Sequence, residues 1–144
     1  VIVVPTHSIP QGISAMMSVD TAEEDPQAIL AAMTEAAAAV TTAQITYAAR
    51  NSDFDGFAIN EGDYLALLDG KLFGTERDIT SLLTRLAALA AEREAAFVTL
   101  FCGEGVSQEE AEAAQALFTE ACPETEISLL SGGQPVYYYT ISIE

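Results

Sequence analysis

Apolar residues recur along this chain in two rhythms, one suited to strands and one to helices. Val1-Ile2-Val3-Val4 is a short continuous apolar run closed by Pro5, the pattern of a strand buried on both faces. Residues 6–11, bounded by Pro5 and containing Pro10, then read as a loop, and residues 12–19 as a short helix. Asp25-Pro26 places an N-cap residue before a proline suited to the first helical position. Ile29, Leu30, Met33, Ala37 and Val40 follow at helical spacing on one face.

Residues 44–50 alternate as a strand, with Ile45 and Tyr47 on one side. Turn signals come next at residues 51–53, at Asp55-Gly56 and at residues 60–62. Tyr64-Leu65-Ala66-Leu67-Leu68 leads through Asp69-Gly70 into Lys71-Leu72-Phe73, a hairpin signal, and the middle of the chain reads as a β-meander. Thr75 with Asp78 offers a capping pair for a helix whose stripe is Ile79, Leu82, Leu83, Leu86, Leu89 and Ala90. Residues 97–101 form a buried strand. Ser107 and Glu110 have the type and spacing of a capping box, opening a helix that buries Ala114, Leu117, Phe118 and Ala121 and that Pro123 terminates. Residues 127–130 and 136–143 are strands, joined by the loop Ser131-Gly132-Gly133-Gln134-Pro135. Strand and helix alternate in the second half, so the expected fold is α/β: a mixed β-sheet with helices packed on it, plus a β-meander, in one domain spanning residues 1–144.

Composition narrows the partners. Half of the 144 residues are apolar, enough for a core, and five basic residues face twenty-two acidic ones for a net charge of −17. Nucleic acid is a poor partner, because phosphate binding needs clustered Lys and Arg. An anionic membrane surface is disfavoured for the same reason. Apolar stretches are broken by Glu35, Arg85 or Glu92 well before the roughly 20 residues of a membrane span. Cys102 and Cys122 lack metal-ligand spacing and read as buried free thiols of a cytoplasmic protein. The first residue is not Met, and the chain reads as part of a longer polypeptide.

Candidate chemistry is sparse. The one histidine, His7, adjoins Ser8, but a Ser-His pair needs spatial approach and an orienting acid. No phosphate-cradling glycine motif is present. Asp53, Asp55, Glu61 and Asp63 cluster in sequence, yet Phe54 and Phe57 interrupt any calcium-loop spacing, and turns account for the acids. Two loops stand out. Thr6, Ser8, Gln11 and Gly12 surround a prospective helix start, where hydroxyls and free amides suit a carboxylate or phosphate; the competing reading is that they cap backbone groups. Gly132, Gly133, Gln134 and Pro135 precede Tyr137, Tyr138 and Tyr139, and consecutive tyrosines on a strand send rings to both faces. That suits either partner docking or a terminal edge strand shielding its own core.

Three blocks carry a resemblance. Val3-Val4-Pro5-Thr6-His7-Ser8-Ile9-Pro10-Gln11-Gly12, the stretch from Phe54-Asp55-Gly56 through Gly62-Asp63 to Asp69-Gly70-Lys71, and the ending from Gly132-Gly133-Gln134-Pro135-Val136 to Ile143-Glu144 resemble the C-terminal domain of the ATP-binding large subunit of bacterial fatty acid kinase. That family was formerly described as dihydroxyacetone-kinase-like and is related to DegV proteins. Position 7 departs from it, with His where the family has Lys.

The resemblance implies a division of labour. An upstream domain binds ATP and magnesium, a central domain forms the homodimer and holds zinc, and the C-terminal domain helps engage a separate fatty-acid-binding protein whose acyl carboxylate is phosphorylated. On that expectation, these residues are non-catalytic and need no cofactor of their own, and Gly132, Gly133, Gln134, Pro135, Tyr137 and Tyr139 meet the partner. The alternative is a domain that itself holds an acyl or other small anion at Thr6, Ser8, Gln11 and Gly12. A third possibility is a small hydrolase using Ser8 and His7.

Overall fold

The computed structural model describes residues 1–54 and 56–144. The Asp55 part of the second turn signal lies outside the described residues. Among the described residues, four helices and eight strands follow in the order α1 (Ile9–Met17), α2 (Pro26–Ala38), β1 (Thr41–Tyr47), β2 (Ser52–Phe54), β3 (Phe57–Ile59), β4 (Tyr64–Leu68), β5 (Lys71–Glu76), α3 (Ile79–Glu92), β6 (Phe97–Cys102), α4 (Gln108–Ala121), β7 (Glu126–Ser131) and β8 (Tyr139–Ile143). Six strands form one sheet in the order β5-β4-β1-β8-β6-β7, and β2 and β3 form a separate two-stranded ribbon. In the six-stranded sheet β6 and β7 pair in parallel, and the other neighbours pair antiparallel. The expected mixed α/β sheet is therefore present.

One face of the sheet carries the core. Ala43 and Ile45 of β1, Ala66 of β4, Val98 and Leu100 of β6, and Tyr139, Ile141 and Ile143 of β8 pack against Leu82, Leu86 and Ala90 of α3 and Ala114 and Phe118 of α4. The 3.6-residue stripe of α3 needs this burial to hold the helix. The opposite face is polar at its centre, where Thr42, Thr140 and Ser142 are buried. The N-terminus of α1 meets that face, through Ser8 and Thr42.

The Asp69-Gly70 turn closes the β4–β5 hairpin, both residues having the positive φ that such a turn requires. Ser107 caps α4 with both halves of the capping box in place.

Five expectations need correction. Residues 1–4 form no strand; they are irregular, with Val1 and Val3 exposed. The first helix starts at Ile9, earlier than Gly12, because Ser8 caps it and Pro10 fits its first turn. Thr75 belongs to β5, and Asp78 alone caps α3, accepting from the Thr80 amide at 3.0 Å. Ala121 is exposed at the end of α4, while Ala111 one turn from Ala114 is buried. The last strand begins at Tyr139, not Val136, and lies between β1 and β6 in the middle of the sheet rather than at its edge.

Candidate functional site

The residues 6–12 loop is organised around the start of α1. Ser8 Oγ accepts from the Gln11 amide at 3.3 Å and lies 2.8 Å from Thr42 Oγ1. Gln11 Oε1 accepts from the His7 amide at 2.8 Å. A Cβ placed on Gly12 would stand 4.0 Å from Thr6 Oγ1, so all four residues converge. His7, Ser8 and Gln11, with Thr42, Gln44, Asp69 and Gly70, border a cavity of about 190 Å³. Asp69 Oδ1 accepts from the Thr42 amide at 2.9 Å. Ser8 Oγ and Gln11 Oε1 are thus engaged in hydrogen bonds within the protein, and an incoming anion would face the Asp69 carboxylate on the same wall. Among the described residues no hydrogen bond joins the Ser8 hydroxyl to the His7 ring, so the pair lacks the contact a nucleophile and base require.

The second loop, residues 132–138, is stitched to the ends of β6 and β1. Gly132 and Gly133 both donate to the Cys102 carbonyl at 2.9 and 3.0 Å, and Gln134 Nε2 donates to the Phe101 carbonyl at 3.0 Å. The Glu104 amide donates to the Gln134 carbonyl at 3.1 Å, and the Tyr138 amide to the Ile45 carbonyl at 2.8 Å. Thr46 Oγ1 donates to the Val136 carbonyl at 3.0 Å. Gly103 allows the crossing: any Cβ there would overlap the Tyr137 carbonyl oxygen. Val136 is held at φ 73° with 75% of its surface exposed. A β-branched residue avoids that conformation unless its surroundings impose it, which makes Val136 a strained and presented side chain.

Beside this loop runs an open groove of about 570 Å³, bordered by Thr46, Tyr47, Glu104, Gly105, Pro135 and Tyr138. Tyr47 and Tyr64 meet edge to face with centroids 5.8 Å apart, and Tyr64 and Tyr138 at 5.6 Å. Burial, with Tyr138 nearby, raises the Tyr64 pKa above the ordinary phenol value. Tyr138 also borders an apolar cavity of about 180 Å³ between α3 and α4, with Ile79, Leu83, Val106, Leu117 and Tyr139. A cavity of about 150 Å³ admits benzene, so this one has room for a ring but not for a long acyl chain.

Among the expected docking residues, Gly132, Gly133, Gln134, Pro135 and Tyr137 share this loop. Tyr139 does not join them at the surface: only 2% of it is exposed, and burial pushes its phenol up to about 12. Sequence reasoning missed Tyr47, Tyr64 and Glu104 as neighbours of the loop. Tyr47 pairs with Tyr64 across β1 and β4, a partnership that the intervening β2–β3 ribbon keeps from showing in local sequence spacing. Among the described residues, no group of three or more His, Cys, Asp or Glu is arranged to hold a metal ion. No helix there is long and apolar enough to cross a membrane.

Comparison with known proteins gives a consistent picture. Protein YloV of Bacillus subtilis (strain 168) is 33% identical over 144 residues, covering all of this chain and 26% of YloV. An uncharacterized protein of Staphylococcus aureus (strain USA300) is 30% identical over 146 aligned positions, covering 99% of this chain and 26% of that protein. The chain thus spans about a quarter of the length of the curated relatives it matches. Among solved structures, the fold resembles the fatty acid binding DegV family protein from Streptococcus agalactiae, with a TM-score of 0.59 at 16% identity over 92% of this chain and 54% of that one. It also resembles the Streptococcus pneumoniae fatty acid kinase B3 protein loaded with linoleic acid, with a TM-score of 0.54 at 10% identity over 82% of this chain and 49% of that one. The family model for the FakA-like C-terminal domain of fatty acid kinase matches residues 1–144 throughout, and the chain belongs to that family.

Proposed function

We propose that this chain is a docking domain of a fatty acid kinase large subunit, helping to seat a fatty-acid-binding protein so that its acyl carboxylate meets a nucleotide bound elsewhere in a longer, cytoplasmic polypeptide. The observation that carries the reading is the 132–138 loop. Hydrogen bonds to neighbouring strands and loops fix it along its length, yet it holds Val136 outward beside tyrosines and Glu104. A preorganised loop loses little entropy on association, and tyrosines supply contact area at low cost. A net charge of −17 favours a partner with a basic face. ATP, magnesium and dimer contacts belong, on this proposal, to other domains.

The test is titration of a DegV-family fatty-acid-binding protein against the chain by calorimetry. Binding at about 20 mM salt that weakens at about 300 mM is the expected result, with a fall of roughly tenfold or more in a Val136→Asp variant. Absence of binding at low salt overturns the proposal. The alternative, an acyl or small-anion site at Thr6, Ser8, Gln11 and Gly12, is less favoured, because the cavity there is about 190 Å³ and carries Asp69. Native mass spectrometry showing a retained lipid would reverse that preference.

A further inference from the structure

Among the described residues, no Lys or Arg borders the groove beside the 132–138 loop, nor the apolar cavity that it adjoins through Tyr138. The groove is aromatic and acidic instead. Tyr47, Tyr137 and Tyr138 border it, and Tyr47 is 44% exposed. Tyr47, Tyr64 and Tyr138 form a continuous ladder with interplanar angles of 67° and 69°, so their faces point in different directions. Each ring face carries the negative part of the aromatic quadrupole. A Cβ on Gly105 would stand 3.4 Å from the Tyr138 ring, so that ring is lodged between the Glu104-Gly105 turn and Tyr64.

Glu104 supplies the charge. Its amide is tied to the Gln134 carbonyl, which fixes its backbone at the groove. The residue is exposed, and among the described residues its carboxylate enters no ion pair. The field at the inner end of the ladder is acidic too. Burial is the main cause that raises the Tyr64 phenol above its ordinary value, and the charges of Glu110 and Asp78 add to it. An exposed carboxylate alone is ordinary surface. A carboxylate sharing one groove with fixed aromatic faces, and with no cation of its own, is the composition of a site that takes a cation.

We infer that this groove receives an arginine side chain of the partner protein, its guanidinium lying against the Tyr47 and Tyr138 rings and pairing with the Glu104 carboxylate. This rests on the reading of the chain as a docking domain and names what the partner brings to it. Arginine suits the groove better than lysine, because a planar, weakly hydrated guanidinium stacks on rings while its donors fork onto a carboxylate. Val136, exposed at the same groove, supplies apolar surface that excludes water as the partner closes over the pair. Other occupants fit less well. An acidic peptide or an anionic headgroup would meet Glu104 on a chain of net charge −17. A wholly apolar segment would strip water from Glu104 without a counter-charge. A second copy brings the same −17 and five basic residues, of which Arg85 already pairs with Glu76.

All five tyrosines of the chain border this groove or the adjoining cavity, so ring-labelled tyrosine reports on the site by NMR without background. N-acetylarginine amide should shift the Tyr47 and Tyr138 ring signals saturably, with roughly millimolar affinity at low salt. N-acetyllysine amide should act more weakly, and N-acetylglutamine amide should not saturate. Glu104→Gln should abolish the arginine response. Both Glu104 and Tyr47 are exposed, so their variants keep the fold, which an unchanged Tyr139 signal verifies. Equal responses to the arginine probe and either of the others, or an undiminished response in Glu104→Gln, overturn the inference. Calorimetry with a DegV-family fatty-acid-binding protein then reads the docked state. Glu104→Gln should weaken binding roughly tenfold and Tyr47→Leu roughly fivefold, while Glu120→Gln, near the far end of α4, should change it less than about twofold. Equal binding by all three variants overturns the arginine contact and leaves the docking reading intact. A loss in Glu120→Gln as large as in Glu104→Gln overturns it as well, since net charge alone then explains the effect. Self-association that Glu104→Gln dissolves identifies a second copy as the occupant and overturns it too. No binding of the fatty-acid-binding protein, with the arginine probe still shifting the tyrosines, removes the docking reading and leaves the groove as a guanidinium site.

Discussion

The phenolic hydroxyl of Tyr139 donates to the backbone carbonyl oxygen of Glu110 at 3.2 Å, fastening the strand at the centre of the sheet to the first turn of α4. Tyr139 is otherwise enclosed by the core. Its phenol is therefore kept neutral, mainly by desolvation, with smaller contributions from Cys102 and Glu110.

This placement predicts alkaline behaviour. The folded value is about 12, against 10 for an ordinary tyrosine. The unfolded chain thus loses this proton first. The stability Tyr139 contributes is complete below pH 10 and lost as pH rises toward 12. A shift of that size corresponds to about 3 kcal/mol. Tyr139→Phe should flatten the fall in unfolding free energy across that window, at a cost near neutrality of roughly 1 kcal/mol for the lost hydrogen bond. Urea titrations of both proteins from about pH 8 to about pH 11.5 check it.

The capping box predicts the acid side. Glu110 titrates below the ordinary carboxylate value, because it accepts first from the Ser107 amide at 2.9 Å and then from its hydroxyl at 3.0 Å. Its contribution is present above the unfolded carboxylate pKa and is lost as pH falls through the lower folded value. Ser107→Ala should destabilise the chain by about 1 kcal/mol near neutral pH. Glu110→Gln should preserve most of the stability there while removing this component of the acid dependence, as followed by circular dichroism between about pH 2 and about pH 6.

Gly103→Ala should be among the more damaging single-methyl additions in the chain. The new Cβ meets backbone, the Tyr137 carbonyl, and backbone cannot swing aside as a side chain can. A loss of roughly 2 to 4 kcal/mol is expected from such overpacking and loop displacement. The measurement is chemical denaturation, with tyrosine fluorescence reporting the movement of Tyr137 and Tyr138.

Arg85 should matter little by comparison. It pairs with Glu76 at 3.3 Å and lies 5.1 Å from the Phe73 ring centre, but the ion pair is open to solvent. Arg85→Ala should cost less than about 1 kcal/mol. Leu100→Ala, at a position with no exposure, should cost about 2 to 5 kcal/mol. Thermal melts of the two variants side by side test that contrast.

Local signals are legible in the sequence where they also decide the tertiary structure. The stripe of α3 is real because Leu82, Leu83 and Leu86 are all core residues. Asp69-Gly70 and Ser107 with Glu110 encode backbone geometry within four residues, so no distant contact is needed to interpret them. Thr75 misleads because the β4–β5 ladder extends to Glu76, and pairing with Leu65 outweighs its capping tendency. The tyrosine run misleads because Val136, three positions before Tyr139, takes a left-handed conformation that nothing in its side chain announces. Residues 1–4 present the reverse case: their composition asks for a sheet, and the described residues that follow do not pair with them.

The order β5-β4-β1-β8-β6-β7 also governs how the molecule is made. Residues 139–143 insert between the half-sheets β5-β4-β1 and β6-β7, both of which precede them in the chain. Until those residues leave the ribosome, β1 and β6 each present an open edge, and Ile45 and Leu100 lack the strand that shields them. A nascent chain stalled or cleaved ahead of Tyr139 is thus two incomplete pieces exposed to aggregation and proteolysis. A product that ends before Tyr139 should therefore be degraded rather than persist as a folded domain.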